Sequence, residues 1–148
     1  MVLKGNQHSK ERFFDLFKKV NYINESKLSP EKKMKILNDF VNFVGNKLDI
    51  MDNLPNIKIS NDDFAAKKMK SFGKYTPDLK EIVVVMVNRN LADVLRTLAH
   101  EIVHHKQNLE NKLDVNSNDD GSDIENEANA LAAVFMREYG KNNPIIFE

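Results

Sequence analysis

The sequence predicts an α+β fold, and three observations carry that expectation. Apolar residues recur at helical spacing in separate stretches on either side of the chain's middle. Between those stretches lies a β-branched run, Ile82-Val83-Val84-Val85, with a shorter alternating stretch at 56–60. Breakers and caps stand at the joints: Ser29-Pro30, Leu54-Pro55, Pro77-Asp78 and Gly140. The order is N-terminal helices, a small mixed β-sheet, a further helix, a polar loop and a C-terminal helix, in a single domain spanning 1–148.

Taken in order, Ser9 can cap a helix in which Phe13, Phe14, Leu16, Phe17 and Val20 share a face. Ser29-Pro30-Glu31 is a second start signal, a cap followed by proline at the first helical position. That helix should run to about Asn46, with Ile36, Leu37, Phe40, Val41, Phe43 and Val44 inward. Leu54-Pro55 breaks the chain before a short strand at 56–60. Residues 72–76 and 81–87 read as two strands around a Pro77-Asp78 turn. Residues 88–90 lead into a helix whose Leu91, Leu95, Leu98, Ile102 and Leu109 form a core stripe. Residues 114–122 are a polar loop, and 123–139 a last helix stopped by Gly140 and Pro144.

Composition bounds the function. With 148 residues there is room for one sizeable core, and 41% hydrophobic with 30% charged residues fits a soluble globular chain. Formal net charge is zero, so no global field recruits nucleic acid or an anionic membrane, and neither is expected as a partner. The absence of cysteine removes disulfides, thiolate zinc sites and thiol catalysis. The polar N-terminus lacks a signal-peptide core, and the longest apolar run, 82–87, is too short to span a bilayer. The expected location is cytoplasmic. It would be a host's cytoplasm if the abundant asparagine and lysine reflect an AT-rich viral genome.

Chemistry concentrates in His100-Glu101-Ile102-Val103-His104, an HExxH segment on the third of these helical stretches. A helix turns ~100° per residue, so the two histidines lie ~40° apart on one face, one turn apart. Two neutral imidazoles so placed can bind one Zn²⁺, and Glu101 can reach a water that the metal activates. Glu101 is the expected general base. On the helical wheel both histidines lie away from the leucine stripe, so this helix should sit between a sheet and a further helix.

A catalytic zinc usually takes three protein ligands and leaves a position open. With no cysteine and His8 far away in sequence, the third should be a downstream carboxylate, Glu125 or Glu127. Glu125 shares a face with Asn129, Ala132 and Met136 beside the buried stripe, whereas Glu127 aligns with Glu138 on the exposed side, so Glu125 is preferred. Two other roles compete for Glu125. Ser122-x-x-Glu125 is a capping box. Asp114, Asn116, Asn118 and Glu125 also occupy positions 1, 3, 5 and 12 of a calcium loop, but the glycine required at position 6 is Asp119.

HExxH followed by Glu125-Asn126-Glu127-Ala128-Asn129-Ala130-Leu131-Ala132 resembles the gluzincin side of the zincin metallopeptidases, in particular minimal ImmA/IrrE-like and phage-encoded members. The resemblance covers about residues 82–139. It implies a zincin-like fold, with the active-site helix under a small mixed sheet, zinc as cofactor, and Glu125 as third ligand. It also implies that Asn129 orients a zinc-binding histidine, which agrees with the general need of a ligating histidine for an acceptor behind it.

The expected function is a zinc-dependent peptidase acting on a peptide or protein, which would add as a strand to an exposed edge, 72–76 or 81–87. Tyr75, Tyr139, Arg137 and His105 are the candidates for stabilising an oxyanion, with packing the more natural role for His105. Arg96 is expected in a structural ion pair. The alternatives are a zinc hydrolase of a non-peptide amide and a non-catalytic zinc-binding interaction module; retention of Glu101 weighs against the module.

Overall fold

The computed structural model describes residues 28–113 and 122–148. The helix expected after Ser9 and the loop 114–121, with its calcium-like spacing, lie outside the described residues. Among the described residues the architecture is α+β: four α-helices and a three-stranded mixed sheet. Helix α1 (Pro30–Lys47) starts as anticipated, with Ser29 Oγ accepting from the Lys32 N–H and proline in the first turn. Strand β1 (Asn56–Ser60) leads into a short helix α2 (Asp63–Met69), then β2 (Gly73–Thr76) and β3 (Glu81–Val85). Helix α3 (Leu91–Leu109) carries the HExxH segment, and α4 (Asp123–Asn142) closes the chain before a 3₁₀ turn, Pro144–Phe147.

The strand order is β1-β3-β2, with β1 parallel and β2 antiparallel to β3. The β-branched run therefore takes the centre, where Ile82 and Val84 are fully buried. Of the two stretches proposed as the exposed edge, 81–85 is excluded by its central position; β2 is an edge. Strand β3 also ends two residues earlier than expected, ahead of Asn88, whose φ of 57° turns the backbone away.

Helix α3 is covered on two sides, by β2 and β3 on one and α4 on the other. Leu91, Val94, Leu95, Leu98, Ala99, Ile102 and Val103 are all buried along it. The core stripe read from the sequence is correct but narrower than the face the helix buries. Ala128, Ala132, Phe135 and Met136 are buried along the middle of α4.

One element was not expected, and one further boundary differs. Helix α2 has a cap, Asp62 accepting from the Phe64 N–H at 2.9 Å, but at seven residues it is too short to show periodicity. Helix α4 continues through Gly140 to Asn142. That glycine is a packing device: a Cβ there would lie 2.5 Å from Phe147 Cε2, so its absence lets the final turn fold back onto the helix. No described helix is long and apolar enough to cross a membrane.

Candidate metal centre

Helix α3 is long enough to place His100 and His104 one turn apart at mid-length, and α4 brings Glu125 to them in its first turn. Ser122 caps α4, its Oγ accepting from the Glu125 N–H at 3.1 Å. The Glu125 side chain meanwhile reaches the histidines, with Oε1 2.8 Å from His100 Nε2 and Oε2 3.0 Å from His104 Nε2. The two Nε2 atoms are themselves 3.0 Å apart. Capping through the backbone and convergence through the carboxylate thus coexist. A carboxylate is also favoured here by the positive end of the helix dipole.

This donor set fits a metal ion. One atom from each of His100, His104 and Glu125 lies within 4.8 Å of the others. Tetrahedral ligands at zinc-like bond lengths stand ~3.3 Å apart, so the 2.8–3.0 Å edges of this cluster need only a few tenths of an ångström of expansion. Glu127 is outside the cluster and exposed. Its Oε1 instead accepts from Gln107 Nε2 at 2.9 Å.

Gln107 escaped the sequence reading, yet it is fully buried directly behind His104. Its Nε2 faces the Ile124 carbonyl at 3.0 Å as well as Glu127, two groups that only accept. The amide orientation is therefore fixed, leaving Oε1 2.7 Å from His104 Nδ1. Nδ1 must carry the proton, and the His104 Nε2 lone pair points into the cluster. The signal existed: Gln107 is three and seven residues beyond the two histidines, on their face of the helix. Asn129, exposed as a whole, hydrogen-bonds the His100 ring. Burial first, and then neighbouring His104, lowers the pKa of His100, against the opposing pull of Glu125 and Asn129.

Glu101 follows His100 on the flank facing β2 and is 8% exposed. Burial, followed by the Glu125 charge, pushes its carboxyl up to about 8; a hydrogen bond from the Tyr75 backbone N–H works in the other direction. Strand β2 comes this close because residue 73 is glycine. A Cβ there would sit 2.4 Å from Thr97 Cγ2 and 3.3 Å from Glu101 Cγ.

A cleft of about 510 Å³ opens over the cluster, lined by His100, Glu101, His104 and Glu125 on the helical side and by Gly73 and Tyr75 of β2 opposite. The four oxyanion candidates are otherwise engaged or elsewhere. His105 Nε2 faces the Asn53 carbonyl and must be a donor, so Nδ1 accepts the Tyr75 hydroxyl proton at 2.8 Å. Tyr75 Oη in turn accepts from Asn108 Nδ2 at 2.9 Å. This chain is closed, and His105, 1% exposed, serves packing as anticipated. Tyr139 donates to Asp39 at 2.7 Å against α1, and exposed Arg137 does not line the cleft. Arg96 pairs with Asp93 at 3.0 Å, the structural role expected of it.

Comparison with known proteins finds no matching family model, no matching curated protein and no matching solved structure.

Proposed function

We propose that this chain is a zinc-dependent peptidase of zincin-like construction. The observation that carries the reading is Glu101: a buried carboxylate, next in sequence to a ligand of the His100, His104 and Glu125 cluster and facing an open cleft. A site that served only to hold a metal would need the three ligands and would gain nothing from a fourth, desolvated carboxylate.

His100, His104 and Glu125 would hold the ion, with Gln107 and Asn129 orienting the two rings. Zinc bound there would polarise a carbonyl and lower the pKa of water to around 7. The positive charge of a bound ion would favour the ionised form of Glu101, which would then accept the proton from the attacking water and return it to the leaving amine. Its Tyr75 N–H partner keeps the carboxylate turned toward β2, where the scissile bond would lie. The edge of β2 supplies the alignment. Phe72 O accepts from the Val85 N–H, so the alternation of an antiparallel pair turns the backbone groups of Gly73 and Tyr75 outward; the Tyr75 N–H serves Glu101, and the Gly73 N–H and Tyr75 carbonyl face the incoming strand. An extended peptide can pair there.

The test is zinc content and cleavage of an unstructured protein by wild type and Glu101→Gln. Wild type should bind one zinc and cleave; the variant should keep the zinc and lose cleavage by at least ~10²-fold. Zinc binding without cleavage in either protein would leave an interaction module.

A further inference from the structure

The segment that carries β2 is rich in lysine. Residues 64–80 contain Lys67, Lys68, Lys70, Lys74 and Lys80 against one acid, Asp78, in a chain whose formal net charge is zero. Lys67 and Lys68 lie in the last turn of α2, and Lys70 is its C-cap. Lys74 stands on β2 and lines the cleft, and Lys80 closes the turn into β3. All five are exposed, and among the described residues none of them forms an ion pair. Some lysines elsewhere are paired. Lys47, Lys58 and Lys112 each have a carboxylate at 3.0, 3.1 and 3.5 Å.

Lys74 lines the cleft and the other four stand in the segments that flank β2, so like charges gathered there raise the local positive potential beside the strand. Alongside them runs a strand edge with outward backbone groups. We propose that the substrate is an acidic peptide: an extended segment that pairs with β2 and sets aspartates or glutamates, on either side of the bond to be cut, against these lysines. The inference rests on the peptidase reading and names the class of peptide. A nucleic acid would meet the same lysines, but it cannot pair with a strand edge, and its phosphates would approach Glu101 and Glu125 on the cleft floor.

The test uses Glu101→Gln protein loaded with zinc, which binds without cutting, and labelled peptides that differ only in flanking residues: Glu, Gln or Lys. At low ionic strength the Glu peptide should bind about tenfold tighter than the Gln peptide, with the Lys peptide weakest. The spread should narrow at physiological salt, where the Debye length falls to about 8 Å. Adding Lys67→Glu, Lys70→Glu and Lys74→Glu should reverse the order, a result that misfolding does not produce. Equal binding of the three peptides, no binding of any, or an order that survives the triple substitution overturns the proposal. So does tighter binding of a charge-matched single-stranded oligonucleotide. Wild-type cleavage without charge preference defeats the acidic class and leaves the peptidase. Charge-ordered binding with no wild-type cleavage of any peptide does the reverse.

Discussion

A carboxyl held at 8% exposure, as Glu101 is, makes the metal-free fold sensitive to pH in a direction that can be worked out. In the unfolded chain Glu101 titrates at ~4.3. In the metal-free fold, burial and then Glu125 push it up to about 8. Between those values the folded chain binds a proton that the unfolded chain has released, so stability falls as pH rises through this window. Below it Glu101 contributes its full stabilisation as the neutral acid. Glu101→Gln has no such proton, and whatever His100 contributes is common to both proteins. In EDTA, the variant and wild type should melt at similar temperatures near pH 5, with the variant pulling ahead toward pH 8; parallel melting curves across that range would refute the burial argument. Gln107 invites the second residue-scale prediction. Gln107→Leu removes the acceptor that holds His104 in the metal-binding tautomer, and should weaken zinc ~10–100-fold in competition with a chromophoric chelator. His100, His104 and Glu101 were legible because spacing along one helix is a local property. Glu125 was legible by its face on a second helix. Gln107 could be read as helical but not as a partner of Ile124 and Glu127, because that contact exists only once α4 has docked.

Elements show the same division between local and long-range information. Helix α1 announces itself through Ser29-Pro30 and an apolar face, and α3 through its leucines; both starts agree with the structure. The order β1-β3-β2 was not legible, since pairing is decided by contacts between distant segments, and both 72–76 and 81–87 had the residue types of strands. Gly140 reads locally as a helix stop, yet the helix passes through it, and its missing Cβ leaves room for Phe147. Gly73 is the comparable case at the cleft. The sequence marks it only as a glycine in a strand, whereas the structure makes it the point where β2 touches α3. Thr97 cannot yield easily, for its hydroxyl is bonded to the Asp93 carbonyl at 3.0 Å and to Arg89 at 2.7 Å. Gly73→Val should therefore lever β2 away from Glu101, costing roughly 1–3 kcal/mol of stability. His100 and His104 of α3 and Glu125 of α4, the proposed ligands, are not the groups that Gly73 touches. The variant should lose kcat/KM by at least tenfold while retaining zinc stoichiometry; loss of zinc with unimpaired cleavage per bound metal would contradict this placement.

At the scale of the whole molecule, the proposed ion would join two helices that the core already packs together. Phe135 and Met136, with Ala128 and Ala132, bury the middle of α4 in the core, Phe135 edge-on to Phe43 of α1, so the packing of α4 would not rest on a metal alone as a zinc finger's does. What the ion adds is at one end. Glu125 sits in the first turn of α4, and without a metal that turn is tied down by its contacts with the two histidines and by Gln107 reaching Ile124 and Glu127. A ligand that binds only the folded chain stabilises it by ~2.7 kcal/mol at a free concentration one hundred times its Kd. For a chain of this size that is roughly 5–10 °C in Tm. Wild type should show this rise on adding zinc to the EDTA-treated protein, and Glu125→Ala should show little of it. Amide exchange should locate the effect: added zinc slows exchange most in the first turn of α4 and around His100, and least in α1, whose contacts are made far along the core. An equal Tm rise in wild type and Glu125→Ala would mean that zinc binds elsewhere. Protection confined to α1 would separate the metal from the cleft, and the chemistry assigned to Glu101 would then have no ion beside it.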